Sequence, residues 1–247
     1  MGIRINLLPT MMISKMEIND QKFIYEDYLL ELVNFSGFFK GLTGGEQFTK
    51  IVEQDHGQAD VRTSNYELDF KLLVNEEFVN KKLKSLPNRD YSHLQDGYIF
   101  LNDKKSGESI TQPKANSEFV KFFCKLMNIT NEQIVDGEKD KNNEFYSIIK
   151  MMKKQKNLLF FLPFEIECDT DIEALNTVAR IKNIFSLRDS INKDTFIVVL
   201  RKVDGTLDEF YIIKYDKGGF EIVDKVNKLF VPLFYELYRV TSITENR

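Results

Sequence analysis

The chain has 247 residues, of which 43% are hydrophobic and 13% aromatic, and its formal net charge is −4 with a pI near 5.5. This composition suffices for a substantial core, and the acidic balance excludes a bulk polycation, so any nucleic-acid site must be a local basic patch. The two cysteines, Cys124 and Cys168, lie in dissimilar settings and indicate neither a disulfide framework nor a zinc site.

The sequence gives no sign of secretion or of a membrane span. The N-terminal apolar segment 5–13 is interrupted by Asn6 and Pro9 and lacks a small-residue cleavage site, so a signal peptide is not predicted. No uninterrupted apolar stretch approaches the roughly 20 residues that span a bilayer. We therefore expect a cytoplasmic protein without a membrane partner.

The first third of the chain predicts a helix followed by a meander. Apolar residues recur at helical intervals over 20–42, with Asp20 as the N-cap, and Gly44-Gly45 ends the pattern. Three short segments rich in β-forming residues follow at 47–53, 59–63 and 66–74. Short polar turns separate them, which is typical of adjacent antiparallel strands.

The middle of the chain alternates helical and polar segments. We predict helices over 75–86, 119–127 and 144–156 and a strand over 97–102, which a polar loop follows through Asn116. The charged segment 136–143 is predicted to be an exposed linker.

The last third predicts a buried strand within further strands and helices. Residues 157–164 form a near-continuous apolar run, the pattern of a strand covered on both faces. A helix over 171–187, strands over 195–200, 210–215 and 220–223, and a helix over 225–240 with a bend near Pro232 complete the prediction.

Together these elements predict an α+β fold, with a mixed central sheet and helices on its faces. We favour one domain over 1–247, and a boundary at 136–143 is the alternative.

One short stretch carries the candidate chemistry. If residues 66–74 form a strand, its period of two places Glu67, Asp69 and Lys71 on one face. A tight turn at 63–65 would bring Asp60, from the preceding segment, beside Asp69. Two carboxylates and an ammonium would then converge, and such a cluster can hold a divalent cation and a water next to a phosphate.

This order of elements and residues resembles the PD-(D/E)XK nuclease superfamily over about residues 20–86. That family places an acid on one strand and acid-x-lysine on the next, after an opening helix, and Asp60 and Asp69-Phe70-Lys71 match those positions. The chain departs from the pattern in having Ala59 where the family has Pro, and Asp69 where Glu is commoner. Three residues compete for the family's further helical acid, namely Glu26, Glu31 and Glu46.

The resemblance implies a restriction-endonuclease-like core and a magnesium-dependent endonuclease or deoxyribonuclease. Asp60 and Asp69 would ligate Mg²⁺ or Mn²⁺, and Glu53 is a further candidate ligand. Lys71 would position or deprotonate the attacking water and compensate phosphate charge, while Glu67 would ligate or orient. The implied substrate is nucleic acid, DNA before RNA, in phage defence, restriction or repair.

Two other interpretations stay open. The face bearing Glu67, Asp69 and Lys71 could belong to a half-exposed or edge strand with ordinary solvated ion pairs. The abundant Phe and Tyr and the missing Pro also fit a non-catalytic interaction subunit that binds a partner protein in a defence complex, or a homo-oligomer.

Several lysines could contact a phosphate backbone. A solvated helix face explains them equally well. They are Lys81, Lys82, Lys84, Lys150, Lys153, Lys154 and Lys156.

Overall fold

The computed structural model describes residues 5–7, 25–51, 58–73, 101–102, 109–110, 122–203 and 207–227. Several predicted segments lie wholly or partly outside these ranges. They include the start of the helix predicted over 20–42 with its N-cap Asp20, the end of the strand over 47–53, the helix over 75–86, the starts of the strand over 97–102 and of the helix over 119–127, and the part of the last helix beyond residue 227.

A mixed sheet of eight strands dominates the described part of the chain. Its strands are β1 (Ile5–Leu7), β2 (Thr49–Lys50), β3 (Val61–Arg62), β4 (Glu67–Leu72), β7 (Leu158–Glu167), β8 (Thr195–Val203), β9 (Leu207–Asp216) and β10 (Gly219–Asn227). The order is β10-β9-β8-β7-β4-β3-β2, and β1 pairs with β7 beyond the end of β4. A separate two-stranded ladder joins β5 (Leu101–Asn102) to β6 (Ser109–Ile110), which falls within the predicted polar loop.

Strand β7 is the centre of the sheet, as its sequence predicted. It runs parallel to both β4 and β8, whereas the other pairings are antiparallel. Its residues 158–162 are each at most 2% exposed, so both faces of this segment are covered. Parallel neighbours need long crossover connections, and the helices between β4 and β8 belong to these. The predicted α+β class with a mixed central sheet and helices is therefore confirmed.

Helices occupy the segments before and between these strands. They are α1 (Tyr25–Phe35), α2 (Gly37–Leu42), α3 (122–127), α4 (Asn131–Lys139), α5 (Tyr146–Met152), α6 (Asp171–Ala179) and α7 (Lys182–Phe185).

The single helix predicted over 20–42 is divided at Ser36. This buried serine is the N-cap of α2, and its Oγ accepts a hydrogen bond from the N–H of Phe39 and donates one to Asp224. Because serine hydroxyls bind nearby backbone groups, they favour helix starts over helix interiors. The apolar periodicity does not contain that signal.

The segment 136–143, predicted to be an exposed linker, is mostly exposed but helical in its first half. Helix α4 continues to Lys139, and a capping box between Thr130 and Gln133 fixes its start. Gly137 is buried, and a β-carbon there would lie 2.7 Å from Cδ1 of Ile149, so α4 approaches α5 closely. The number of domains stays a prediction.

Two more boundaries differ from the sequence prediction. The helix predicted over 171–187 is α6, then α7, then a 3₁₀ turn at Ser186–Arg188. The predicted final helix is wrong in its first turn, because Lys225–Asn227 belong to β10 and pair with β9.

Candidate functional site

The hairpin of β3 and β4 builds the candidate site. Its turn is held by Thr63, whose N–H donates to the carbonyl of Tyr66 (2.8 Å) and whose Oγ1 accepts the N–H of Tyr66 (3.1 Å). The register pairs Val61 with Leu68. One step further along an antiparallel ladder places Asp60 opposite Asp69. The turn predicted at 63–65 therefore brings the two aspartates together.

Three oxygen atoms surround the ammonium of Lys71. Its Nζ lies 3.0 Å from Oδ1 of Asp69, 3.3 Å from Oδ2 of Asp60 and 2.7 Å from the carbonyl oxygen of Phe70, to which it donates. The N–H of Phe70 also donates to Oδ2 of Asp60 (2.6 Å). The carboxylates of Asp60 and Asp69 and the amine of Lys71 thus meet at one point.

Both carboxyl groups are poorly hydrated. The side chain of Asp69 is 3% exposed and that of Asp60 is 12% exposed. Asp69 lies on β4, which has β3 on one side and β7 on the other. The alternative of an edge strand with solvated ion pairs is therefore wrong for Asp69.

The surroundings shift the pKa values of the two aspartates in opposite directions. Burial, opposed by Lys71 and reinforced by Asp69, raises the pKa of Asp60 to about 7. Burial also acts to raise the pKa of Asp69, but Lys71 and a hydrogen bond from Asp60 outweigh it and leave that pKa below its ordinary value. The surroundings therefore favour the neutral form of Asp60 and the ionised form of Asp69.

Two further charged residues act on the aspartates. Glu26 on α1 is the last and smallest of the charges that raise the pKa of Asp60. Lys156, just before β7, places Nζ 3.8 Å from Oδ2 of Asp69. Both come from segments far from β4 in sequence, so strand alternation could not reveal them.

The remaining candidate residues either make other contacts or lie outside the described part of the chain. Glu67 is exposed at the start of β4, and its backbone carbonyl accepts a hydrogen bond from Asn157. Glu46 accepts hydrogen bonds from the N–H and hydroxyl of Ser64. Glu53 and the lysines at 81, 82 and 84 lie outside the described residues.

The donor set fits a hard divalent cation. Oxygen atoms of Asp60, Asp69 and the Phe70 backbone already surround one cation, the Lys71 ammonium, and magnesium takes such ligands together with water. In the part of the chain that the structure describes, no group of three or more His, Cys, Asp or Glu side chains is placed to hold a metal ion. Water would have to complete the coordination.

A polar cleft of about 660 Å³ opens beside the site. Asn157, which follows Lys156, lines it together with Tyr66, Asp194 and Lys214. The Tyr66 hydroxyl donates to Asp194 (2.7 Å), and Lys214 pairs with the same carboxylate (3.0 Å). Asn157, which lines the cleft, is therefore the next residue in the chain after Lys156, which contacts Asp69.

Within the described ranges, no helix is both long and apolar enough to cross a membrane. Comparison with protein-family models, with curated proteins and with solved structures finds no match for this chain.

Proposed function

We propose that this chain is a metal-dependent nuclease that hydrolyses phosphodiester bonds of DNA. The observation that carries the proposal is the convergence of Asp60, Asp69 and Lys71, with both carboxylates within 3.3 Å of one amine. The choice of DNA over RNA follows from the resemblance of these residues to the PD-(D/E)XK pattern.

The energetic cost of the arrangement supports a functional origin. Asp60 is held beside a second carboxyl group with little access to water, and Lys71 offsets only part of the cost of ionising it, since its pKa rises to about 7. Apolar side chains at these positions would serve the core better, since Leu68 and Phe70 on the same strand are fully buried. Perturbed acids of this kind concentrate at functional sites.

Asp60, Asp69 and the Phe70 carbonyl would hold Mg²⁺ or Mn²⁺. When bound, such an ion polarises the phosphoryl oxygen and makes a coordinated water more acidic. Lys71, relieved of neutralising both aspartates, would donate to the phosphate and orient the attacking water. The water oxygen would add to phosphorus and release its proton to solvent, the bond from phosphorus to the sugar oxygen would break, and the leaving oxygen would take up a proton from solvent.

The local charge suits a polyanion despite the acidic whole. Lys71 and Lys156 both approach Asp69, from its Oδ1 and Oδ2 sides respectively. A divalent cation bound by the two carboxylates would make this group of four side chains net positive. Such a local positive charge would attract a polyanion to a chain that is acidic as a whole.

The decisive experiment compares the wild type with an Asp69→Ala, Lys71→Ala double variant on DNA and RNA, with Mg²⁺ or Mn²⁺. We expect the double variant to lose at least about 100-fold in cleavage rate. Calorimetric titration should detect metal binding only in the wild type. An Asp136→Ala, Lys139→Ala variant is the matched control, because it removes an exposed ion pair of the same residue types (3.7 Å).

Equal cleavage by the wild type and the double variant would exclude this site as the catalyst. A wild type that neither binds metal nor cleaves any nucleic acid would favour the alternative of a non-catalytic interaction subunit. Light scattering and a pull-down from the host would then identify a homo-oligomer or a partner protein.

A further inference from the structure

Lys156 stands at the edge of the acid pair with its ammonium partly in solvent. Its Nζ donates to the carbonyl oxygen of Gln58 (2.8 Å) and lies 3.8 Å from Oδ2 of Asp69, and its side chain is 25% exposed. Lys71 uses the other oxygen of the same carboxylate. The two lysines therefore flank Asp69 from different sides, and 3.8 Å is a longer, weaker contact than the 3.0 Å made by Lys71.

A buried arginine fixes the turn that carries Lys156. Arg188 is 3% exposed and donates to the backbone carbonyls of Met152 (3.0 Å) and Lys156 (2.7 Å), to that of Lys154, and to Oγ1 of Thr195 (2.8 Å). Burial lowers the pKa of this guanidinium to about 10. The fold thus uses a poorly hydrated cation to hold the backbone of three residues in the turn, including that of Lys156.

We propose that Lys156 binds a backbone phosphate of the substrate, next to the phosphate held at Asp60 and Asp69. This assignment rests on the proposed nuclease function. Lys156 is a substrate-binding residue here, whereas Lys71 acts on the reacting phosphate.

The charge balance of the site explains when Lys156 becomes available. With both aspartates ionised, Asp60, Asp69, Lys71 and Lys156 sum to zero, and Glu26 near Asp60 makes the site net negative. A divalent cation at the aspartates reverses that sign. Asp69 is then shared with the metal, so the weak contact to Lys156 gives way to a phosphate oxygen, which is a stronger acceptor for an ammonium.

The cleft gives the neighbouring phosphate a direction. Asn157 lines the cleft, whose charged lining residues are Arg188, Lys193, Lys214 and Lys217 together with Asp189, Asp194 and Asp216. Lys156 precedes Asn157 in the chain, and its Nζ lies 3.8 Å from Oδ2 of Asp69. A nucleic-acid strand that passed from the acid pair over Lys156 would reach a polar cleft in which cationic side chains outnumber carboxylates by four to three.

The test compares Lys156→Gln with Lys154→Gln, which removes an exposed lysine from the same turn. Fluorescence anisotropy with a labelled 16-base-pair DNA, in Ca²⁺ to limit cleavage, gives affinity against salt concentration. We expect Lys156→Gln to bind about tenfold more weakly and to lower the slope of log K against log salt by about one. In Mg²⁺ its KM should rise while kcat changes little. Lys154→Gln should match the wild type.

A Lys156→Arg variant, which retains the charge, should restore the salt slope. Thermal denaturation shows whether each variant is folded. If the wild type binds and cleaves but both glutamine variants share its salt slope, the Lys156 assignment fails and the nuclease function stands. If the wild type neither binds nor cleaves DNA, both fail. Equal loss of slope in Lys156→Gln and Lys154→Gln would indicate general charge attraction and overturn the assignment.

Discussion

Two charged clusters lie at opposite ends of the sheet and differ in how their positive and negative side chains are arranged. Asp69 lies opposite Leu158 of β7, which in turn lies opposite Thr195, the first residue of β8. Arg201, the centre of the second cluster, follows six residues later on β8, about 20 Å further along the strand. In the second cluster, Arg201 donates to the Tyr211 hydroxyl, which donates to Asp171 (2.7 Å), which in turn pairs with Lys225 (2.6 Å). Signs alternate there, so each charge stabilises its neighbour.

The first cluster instead brings like charges together. Both carboxyl groups lie against Lys71, yet burial raises the pKa of Asp60 to about 7, whereas the pKa of Asp69 stays below its ordinary value. The comparison shows that a cluster of charged side chains in this fold does not by itself indicate a functional site. Alternating charges are what a stable fold needs, whereas adjacent acids cost stability and call for a ligand.

The Arg201 cluster should give the largest loss of stability. Arg201→Met leaves the carbonyl of Cys168 and the hydroxyl of Tyr211 without their buried donor, so we expect the free energy of unfolding to fall by about 2–3 kcal/mol. Denaturant titration measures this change. Metal binding should keep its wild-type affinity, because the variant leaves the acid pair intact.

The matched control is Arg180→Met, which removes an exposed arginine after α6 and should change stability by less than about 0.5 kcal/mol. If Arg201→Met abolished metal binding in protein shown to be folded, the two clusters would not be independent. The contrast between them would then be wrong.

The acid pair, by contrast, should make the stability of the fold depend on pH. The fold raises the pKa of Asp60 from 3.8 to about 7, so between these values the folded state holds a proton that the unfolded state has released. The stability contributed by that proton is present below pH 4 and declines as pH rises towards 7. Asp69 has a lowered pKa, so its contribution is lost only as pH falls below about 4.

Asp60→Asn reproduces the protonated carboxyl and should remove this dependence. Its amide can still accept from the N–H of Phe70 and donate to Asp69. We expect equal stability below pH 4 and a variant that is increasingly more stable between pH 4 and 8, by about 1.4 kcal/mol for each unit of pKa shift that it abolishes. Denaturant titrations at a series of pH values in EDTA measure it.

Asp136→Asn is the control, because that carboxylate is 74% exposed. A variant Asp60→Asn that is less stable than the wild type at pH 8 would show that the ionised pair supports the fold. The acid pair would then resemble the Arg201 cluster, and its claim to function would weaken. Asp60→Asn should also bind Mg²⁺ poorly, because only one of the two carboxylates remains.

The sequence predicted those features of the fold that depend on local patterns. The apolar run at 157–164 identified the central strand, and the alternation over 66–74 with a short turn identified the hairpin that joins Asp60 to Asp69. Patterns failed where a polar contact overrode periodicity, as at Ser36, and where a strand continues past a register shift, as at Lys225–Asn227 in β10.

The part of the site that the sequence could not predict depends on distant contacts. Lys156 meets Gln58 across 98 residues, and its charged run was equally consistent with a solvated helix face. Glu26 became distinguishable from Glu31 only through the packing that brings α1 near Asp60. The positions of Asp60 and Asp69 could thus be predicted from local sequence, whereas the residues around them are brought there by tertiary packing.

Glu26 provides the smallest and sharpest test of the acid pair. Its negative charge is the least of the influences that raise the pKa of Asp60, so Glu26→Gln should lower that pKa slightly and leave the fold intact. Carbon NMR titration of the Asp60 carboxyl measures the change directly. Loss of this charge should also weaken Mg²⁺ binding, by less than about fivefold if Glu26 acts only through its field. A larger loss would mark Glu26 as the helical acid ligand that the nuclease resemblance leaves unassigned. Glu31→Gln, on the same helix, is the control, and equal shifts in the two variants would refute a specific role for Glu26.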